Sequence, residues 1–357
     1  MTSKNLPGVC ALLLLGILSC KQKDSTTAPS PVYNPTPLQV NYPAWVNTFA
    51  GAMPLPADNP LTKEGVALGR KLFYEKLLSD NSTQSCASCH KIGNSFTDPR
   101  SFSEGTNGAL GDRNAMVIVN LAWTNKLFWD GRRSTLEQQA HDPVTNPVEM
   151  RNKWPVVVQR LQNHPLYPSM FFNAFGTSVI DSNLVVKAIA QFERTLVSFN
   201  SRFDKYYFEG DTLALNEQEK RGLALFMGKA DCNHCHSDAL LTDDAFRNNG
   251  LDVSFTDKGR GKVTGNASDD GKFKVTTLRN IALTAPYMHD SRFTTLEQVV
   301  EHYNSGVKTT SPNLDANMDV IKAGLNLSTQ EKADLVAFLK TFTDSSFISN
   351  PDFKDPN

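Results

Sequence analysis

Cys86-Ala-Ser-Cys89-His90 and Cys232-Asn-His-Cys235-His236 are the stretches that decide how the rest of this chain is read. Each places two thiols one helical turn apart and an imidazole directly after the second. That arrangement offers two thioether bonds to the vinyl groups of a haem and a nitrogen ligand to its iron, the pattern of covalent haem c attachment. A disulfide within each pair, a thioredoxin-like redox pair, or zinc held by two thiolates and a histidine are the competing chemistries. Neither pentad follows the strand, helix, strand pattern of a thioredoxin. Two haem c groups also explain why the expected mature chain has no cysteine left for structural disulfides. His234, inside the second pentad, is read as a solvent-facing side chain rather than a further ligand.

Working outward, each pentad is preceded by an amphipathic helix and followed by long loops and a closing helix. Leu61 to Leu78 places Leu61, Val66, Leu68, Leu72, Phe73 and Leu77 near helical spacing, with Thr62 able to cap the start. Asn216 to Met227 stands in the same relation to the second pentad. The closing helices are Asn183 to Phe199 and the run after Ser328-Thr-Gln-Glu331, a capping box. Lys272 to Leu278 is the one short stretch read as a strand. The expected fold class is therefore all-α with short β elements only. The halves share a layout but no visible sequence repeat, and their boundary is placed between Glu209 and Leu215.

Lys4 precedes an apolar run from Val9 to Leu18, too short to cross about 30 Å of hydrocarbon but suited to a secretory signal. The run ends in Ile17-Leu18-Ser19-Cys20, which resembles a bacterial lipobox, so Cys20 is expected to be lipidated and to tether the protein to a membrane. Cys10 would leave with the signal. Residues 21 to 42 are rich in Ser, Thr and Pro and read as an extended linker. The expected divisions are a signal peptide (1–19), a tether (20–42), an N-terminal haem domain (43–210), a C-terminal haem domain (211–345) and a tail (346–357). Export places the protein in the periplasm or cell envelope. The 357 residues carry 36 Lys and Arg against 37 Asp and Glu, which leaves no basic excess to neutralise the phosphates of nucleic acid.

The sixth position of each iron separates chemistry from electron transfer. Between His90 and His141 there is no histidine, and Met116 is the only methionine, so the first iron is expected to be open. For the second, Met288, His289, His302, Tyr303 and Met318 are candidates that spacing alone does not order.

Beyond the pentads, several blocks carry a family resemblance: Arg113-Asn114-Ala115, Phe128-Trp129-Asp130-Gly131-Arg132, Leu136-Glu137-Gln138-Gln139-Ala140, Asn146-Pro147-Val148-Glu149-Met150, Leu278-Arg279-Asn280 and Leu283 to Asp290. From about residue 55 to 343 the chain resembles the bacterial di-haem cytochrome c peroxidases, a family that includes the methylamine utilisation (MauG) branch. The resemblance implies two cytochrome c-like domains with one haem c each and an active site facing their interface. It implies that His90 is the proximal ligand of a peroxidatic haem, with Gln139 and Glu149 lining its distal pocket and Glu149 as the acid/base. Relaying a proton between the two oxygens of peroxide is work a positioned carboxyl can do. Trp129 matches the residue that mediates electron transfer between the haems. Asn114, Thr284 and Pro286 match the ligands of a calcium ion, an oxygen set suited to a hard cation. His236 would ligate the second iron.

Two departures matter. Peroxidases that require reductive activation carry a histidine in the loop that here runs from Ser95 to Asp112 without one. The axial methionine of those members is replaced by Tyr303, as in the MauG branch, while Met288 stays an alternative. A phenol ligand lowers a haem potential relative to a thioether. The reading is a peroxidase that reduces hydrogen peroxide to water with electrons from a small donor such as a cytochrome c or a copper protein. The rivals are a MauG-like oxidase that modifies a partner protein's side chains and a di-haem electron carrier. A homodimer is a candidate assembly that the sequence does not decide.

Overall fold

The computed structural model describes residues 1–6, 8 and 32–356, with the side chains of 319–321 outside the description. The apolar run, Cys10, the lipobox and Cys20 therefore lie outside the described residues. From Tyr33 to Asn357 the chain forms one compact unit. Among the described residues no helix is long and apolar enough to cross a membrane.

The two halves repeat one device, a helix before the pentad crossing the helix that closes the half. In the first, Lys63–Phe73 starts at Thr62, whose side chain accepts from Gly65 N, and it crosses Ser182–Thr195. In the second, Glu217–Met227 starts at Asn216 and crosses Thr329–Lys340, which opens with the Ser328/Glu331 capping box. Both crossings turn on a glycine. A Cβ on Gly69 would lie 1.9 Å from Ala188 O and 3.0 Å from Phe192 Cβ, and one on Gly222 would lie 2.1 Å from Asp334 O and 2.6 Å from Phe338 Cβ. Glycine on one helix thus faces a backbone carbonyl, and a phenylalanine one turn later, on the other. Phe192 and Phe338 are fully buried where the helices touch, at the centre of each core.

The repeat extends into the loops. Asn120 and Asn280 both adopt left-handed backbone before a 3-10 turn (Leu121–Trp123 and Ile281–Leu283). The bridge Leu127↔Arg133 returns as Tyr287↔Phe293, and the helix capped by Thr135 returns as one capped by Thr295. The spacing between paired residues is constant, so the halves do repeat in sequence across this segment, contrary to the expectation. Asn120/Asn280, Thr124/Thr284, Asp130/Asp290, Arg132/Arg292 and the Thr-Leu-Glu-Gln runs at 135–138 and 295–298 are identical between the copies, whereas the bridge positions, which pair through backbone, differ.

Three expected boundaries move. The Arg202–Tyr207 helix belongs to the second core, where Phe203 packs edge-on against Phe338 at 5.8 Å and Phe342 at 5.0 Å. The division between halves therefore falls before Ser201, not between residues 209 and 215. The linker expected to reach residue 42 is docked earlier, since Leu38 N donates to Leu61 O and Lys63 N to Thr36 O. Residues 346–357 are not a free tail. Ser345–Ser349 and Pro351–Phe353 form short helical turns that bury Phe347 and Phe353 against Phe73, Phe96 and Phe192 of the first half. Arg70 holds the carbonyls of Pro351 and Lys354 at 2.7 Å each. The strand expected over 272–278 shrinks to Phe273–Lys274, paired antiparallel with Phe246–Arg247.

Buried polar groups tie the halves together. Ser198 exchanges two bonds with Asn120, and its hydroxyl meets Asn280 Nδ2 at 3.2 Å and Asp344 Oδ2 at 3.1 Å. Arg279 and Asp204 form an ion pair with both side chains fully buried, and Arg279 also donates to Ala239 O.

Candidate haem sites

Each pentad opens onto its own cavity, and the haem-site residues expected from sequence, His302 excepted, line one of the two. Cys86, Cys89 and His90 share the first with Gln139 and Glu149, in about 670 Å³ of non-protein space that is partly open to solvent. Cys232, Cys235 and His236 share the second with Met288, Tyr303, Trp129, Asn114, Thr284 and Pro286, in about 1540 Å³ bounded the same way. The second is lined by both halves, since Thr97, Ala115 and Met116 reach it from the first. Met116, considered for the first iron, faces the second cavity instead. The one thioether lining the first is that of Met150, a buried core residue.

The residues fit haem c. None of the four cysteines is in a disulfide. His90 Nδ1 lies 2.8 Å from Phe96 O and His236 Nδ1 lies 3.2 Å from Leu241 O. Each carbonyl holds the Nδ1 proton, which leaves Nε2 as the lone-pair nitrogen for a metal. Burial lowers the pKa of both imidazoles, so both are neutral as ligation requires. His234 keeps 49% of its side chain exposed, as expected.

In the first cavity, burial raises the Glu149 carboxyl above the usual carboxylate range, against a 2.6 Å bond from Asn146 Nδ2. A carboxyl so placed can hold a proton closer to neutral pH than an exposed one. Sequence reasoning missed Glu193 in the same wall. It sits on the closing helix beside Phe192, its Oε2 has no hydrogen-bond partner, and burial pushes its pKa up to about 8. Its helical position reads as core, and only a charged residue on the buried face of an amphipathic helix signals it.

In the second cavity, Tyr303 sits in a π-helical segment, His302–Gly306, of the kind that often marks functional sites. Burial pushes its phenol up to about 12. Asn249 Nδ2 donates to Tyr303 Oη at 3.2 Å and to Met288 Sδ at 3.7 Å. His302 is not in the lining, and its Nε2 meets Asn249 O at 3.1 Å. His289 lies flat on Phe273, with centroids 3.6 Å apart, and edge-on to Trp129 at 6.4 Å. Trp129 Nε1 donates to Asn114 O, and Asn114 Nδ2 to Ser291 Oγ, so the Asn114 side chain is left with its oxygen as the end that can meet a cation.

The internal repeat shows how the cavities differ. Counted from the Thr caps, Gln139 and Pro143 of the first half correspond to Val299 and Tyr303 of the second, and each pair lines its own cavity. Where the second cavity presents a phenol, the first presents a proline, which has no atom to bind a metal. Where the second presents an isopropyl group, the first presents an amide.

Residues 63–212 match the family model of di-haem cytochrome c peroxidases. The chain is 40% identical over 293 residues to the methylamine utilization protein MauG of Methylorubrum extorquens, covering 81% of each. It is 36% identical over 307 residues to the cytochrome c551 peroxidase of Nitrosomonas europaea, covering 85% of this chain and 86% of that one. Among solved structures, a MauG-like protein associated with microbial copper homeostasis matches at a TM-score of 0.77 and 37% identity, over 92% of this chain and 98% of that one. With two pentads, two lined cavities and relatives of this length and identity, the chain belongs to the di-haem cytochrome c peroxidase and MauG family of oxidoreductases.

Proposed function

We propose that the protein reduces hydrogen peroxide to water at the first cavity, with electrons delivered from a small redox protein by way of the second. The observation that carries this reading is the Gln139/Pro143 pair standing where the other cavity has Val299 and Tyr303. A haem c bound through Cys86, Cys89 and His90 would supply the redox chemistry for cleaving the O–O bond. Gln139 can donate its amide hydrogens to a bound peroxide and orient it. Glu149, protonated more readily than an exposed carboxyl, would take the proton from one peroxide oxygen and return it to the other, which leaves as water. Cys232, Cys235 and His236 would hold the second haem, with Tyr303 as its sixth ligand. Trp129, a residue of the first half that lines the second cavity, would carry electrons between the two. Asn114, Thr284 and Pro286 would hold calcium at the junction of the halves through amide and carbonyl oxygens. Export and a lipid anchor at Cys20 complete the reading, with periplasmic or cell-envelope location.

A MauG-like oxidation of a partner protein is the second reading, and Tyr303 favours it. A phenol ligand stabilises ferric over ferrous iron and makes the second centre a poorer acceptor for a donor cytochrome. Mixing the purified oxidised holoprotein anaerobically with peroxide tests the proposal. An immediate spectral change at the first haem followed by rapid turnover with a reduced cytochrome or cupredoxin is expected. No change until reductant is added would mean that a side chain caps the first iron. Fast reaction with peroxide but slow turnover with every small donor would favour the partner-protein oxidase.

A further inference from the structure

Asn249 lies within reach of both side chains that compete for the second iron. Its amide nitrogen is 3.2 Å from the phenol oxygen of Tyr303 and 3.7 Å from the sulfur of Met288. Both atoms are acceptors towards it, and a thioether can be nothing else, so the amide must present its N–H groups to this side of the cavity. The opposite side of the same residue is anchored, since Asn249 O receives the His302 imidazole at 3.1 Å and the neighbouring Gly250 N is held by Asn248 Oδ1 at 2.9 Å. Asn248 is in turn pinned to Ser311 Oγ at 2.9 Å. The amide is therefore held by a braced loop rather than hanging free.

The two contacts differ in strength. At 3.2 Å the bond to the phenol oxygen fixes the direction in which Tyr303 presents that oxygen and leaves it a lone pair for iron, whereas the 3.7 Å contact to the Met288 sulfur, a weak acceptor, is the looser one. We infer that Asn249 is the positioning residue that sets the sixth ligand of the second haem, holding Tyr303 in place ahead of Met288. The inference rests on the reading of Tyr303 as that ligand. Thioether ligation favours ferrous iron and phenolate ligation ferric iron, so the choice is written into the reduction potential of this haem.

The test uses the haem-loaded protein and reads the ferric absorption spectrum, including the phenolate-to-iron charge-transfer band, together with the potential of the second haem. Y303F comes first. Loss of the band supports Tyr303 ligation, and an unchanged ferric spectrum removes that reading and this inference with it. N249L, close to asparagine in shape but without donors, is then expected to weaken the band and raise the potential, by about 59 mV for each tenfold shift from phenolate towards thioether ligation. N249L/M288L is expected to bring the potential back down, because no thioether remains to bind. N249A, which also lacks the amide and adds no charge, provides the same comparison should the leucine variant load haem poorly. If Y303F abolishes the band while N249L and N249A leave band and potential as in the wild type, Asn249 has no such role. A rise in potential that M288L does not reverse overturns the inference equally.

Discussion

Glu193 is an acid enclosed by the first core, and its ionisation should govern how this protein's stability depends on pH. It lies on the Ser182–Thr195 helix with 3% of its surface exposed, and one carboxyl oxygen has no partner. Burial is the main cause of a pKa pushed up from 4.5 to about 8; Arg194 opposes the shift and Glu137 adds to it. The folded state therefore keeps a proton that the unfolded chain gives up near its ordinary value. The stabilisation is complete below that unfolded pKa and is lost as pH rises to the folded one, because there the unfolded state binds fewer protons. With about 1.4 kcal/mol per pH unit, the loss approaches 5 kcal/mol across the whole window and about 3 kcal/mol between pH 5.5 and 7.5. Urea denaturation of the holoprotein at several pH values measures it directly. Glu193→Gln, which keeps the shape and cannot ionise, should flatten the dependence and gain stability over the wild type above pH 8. A variant whose slope between pH 5.5 and 7.5 equals that of the wild type would refute the reasoning.

Glu149→Gln should slow peroxide cleavage by roughly two or more powers of ten, the range for losing a positioned proton relay; stopped-flow kinetics at wild-type rate would remove Glu149 from the mechanism. Gly69→Ala and Gly222→Ala should each cost on the order of 1–3 kcal/mol, since a Cβ at either place collides with the carbonyl of Ala188 or Asp334 and the helix pair has to part. Urea midpoints unchanged in both variants would show that the crossings are not tight. Phe353→Ala should destabilise the protein by about 3–5 kcal/mol although it lies near the chain end, because its ring packs on Phe96 and Phe347 in the first core. An unaltered denaturation curve would return residues 346–357 to the status of a tail.

Features set by neighbours in the chain were legible in the sequence. The Thr62 and Ser328 caps begin their helices as expected, because a cap is a bond between a side chain and an amide three residues on. The grouping of Gln139 and Glu149 with the first pentad was legible only through the family resemblance. Features set by distant packing were not legible. Phe203, Phe347 and Phe353 look alike as isolated aromatics near helix ends, and nothing local says that the first joins the second core while the other two cross to the first. Glu193 was hidden for a related reason, since its position on the helix reads as core and nothing local says that the cavity wall is what it joins.

The duplicated layout also explains how one chain obtains two different iron environments from one architecture. The two copies share the glycine crossing, the asparagine turn and the threonine-capped helix, so each builds a cavity beside its pentad with the pentad imidazole oriented by a backbone carbonyl. The helix after the threonine cap then supplies the wall opposite the pentad, and its side chains can change without disturbing the parts that hold the fold. Proline in one copy and tyrosine in the other is such a change. Proline in the Leu136–Thr145 helix interior removes a backbone donor and costs helix stability, which a purely structural selection would not retain without a return. Exchanging the pair tests whether that return is the open coordination site. Pro143→Tyr should place a phenol in the first cavity and abolish the reaction of the oxidised protein with peroxide while leaving the second haem's spectrum unaltered. Persistence of that reaction, in a variant that folds and carries both haems, would mean that something other than Pro143 keeps the first site open.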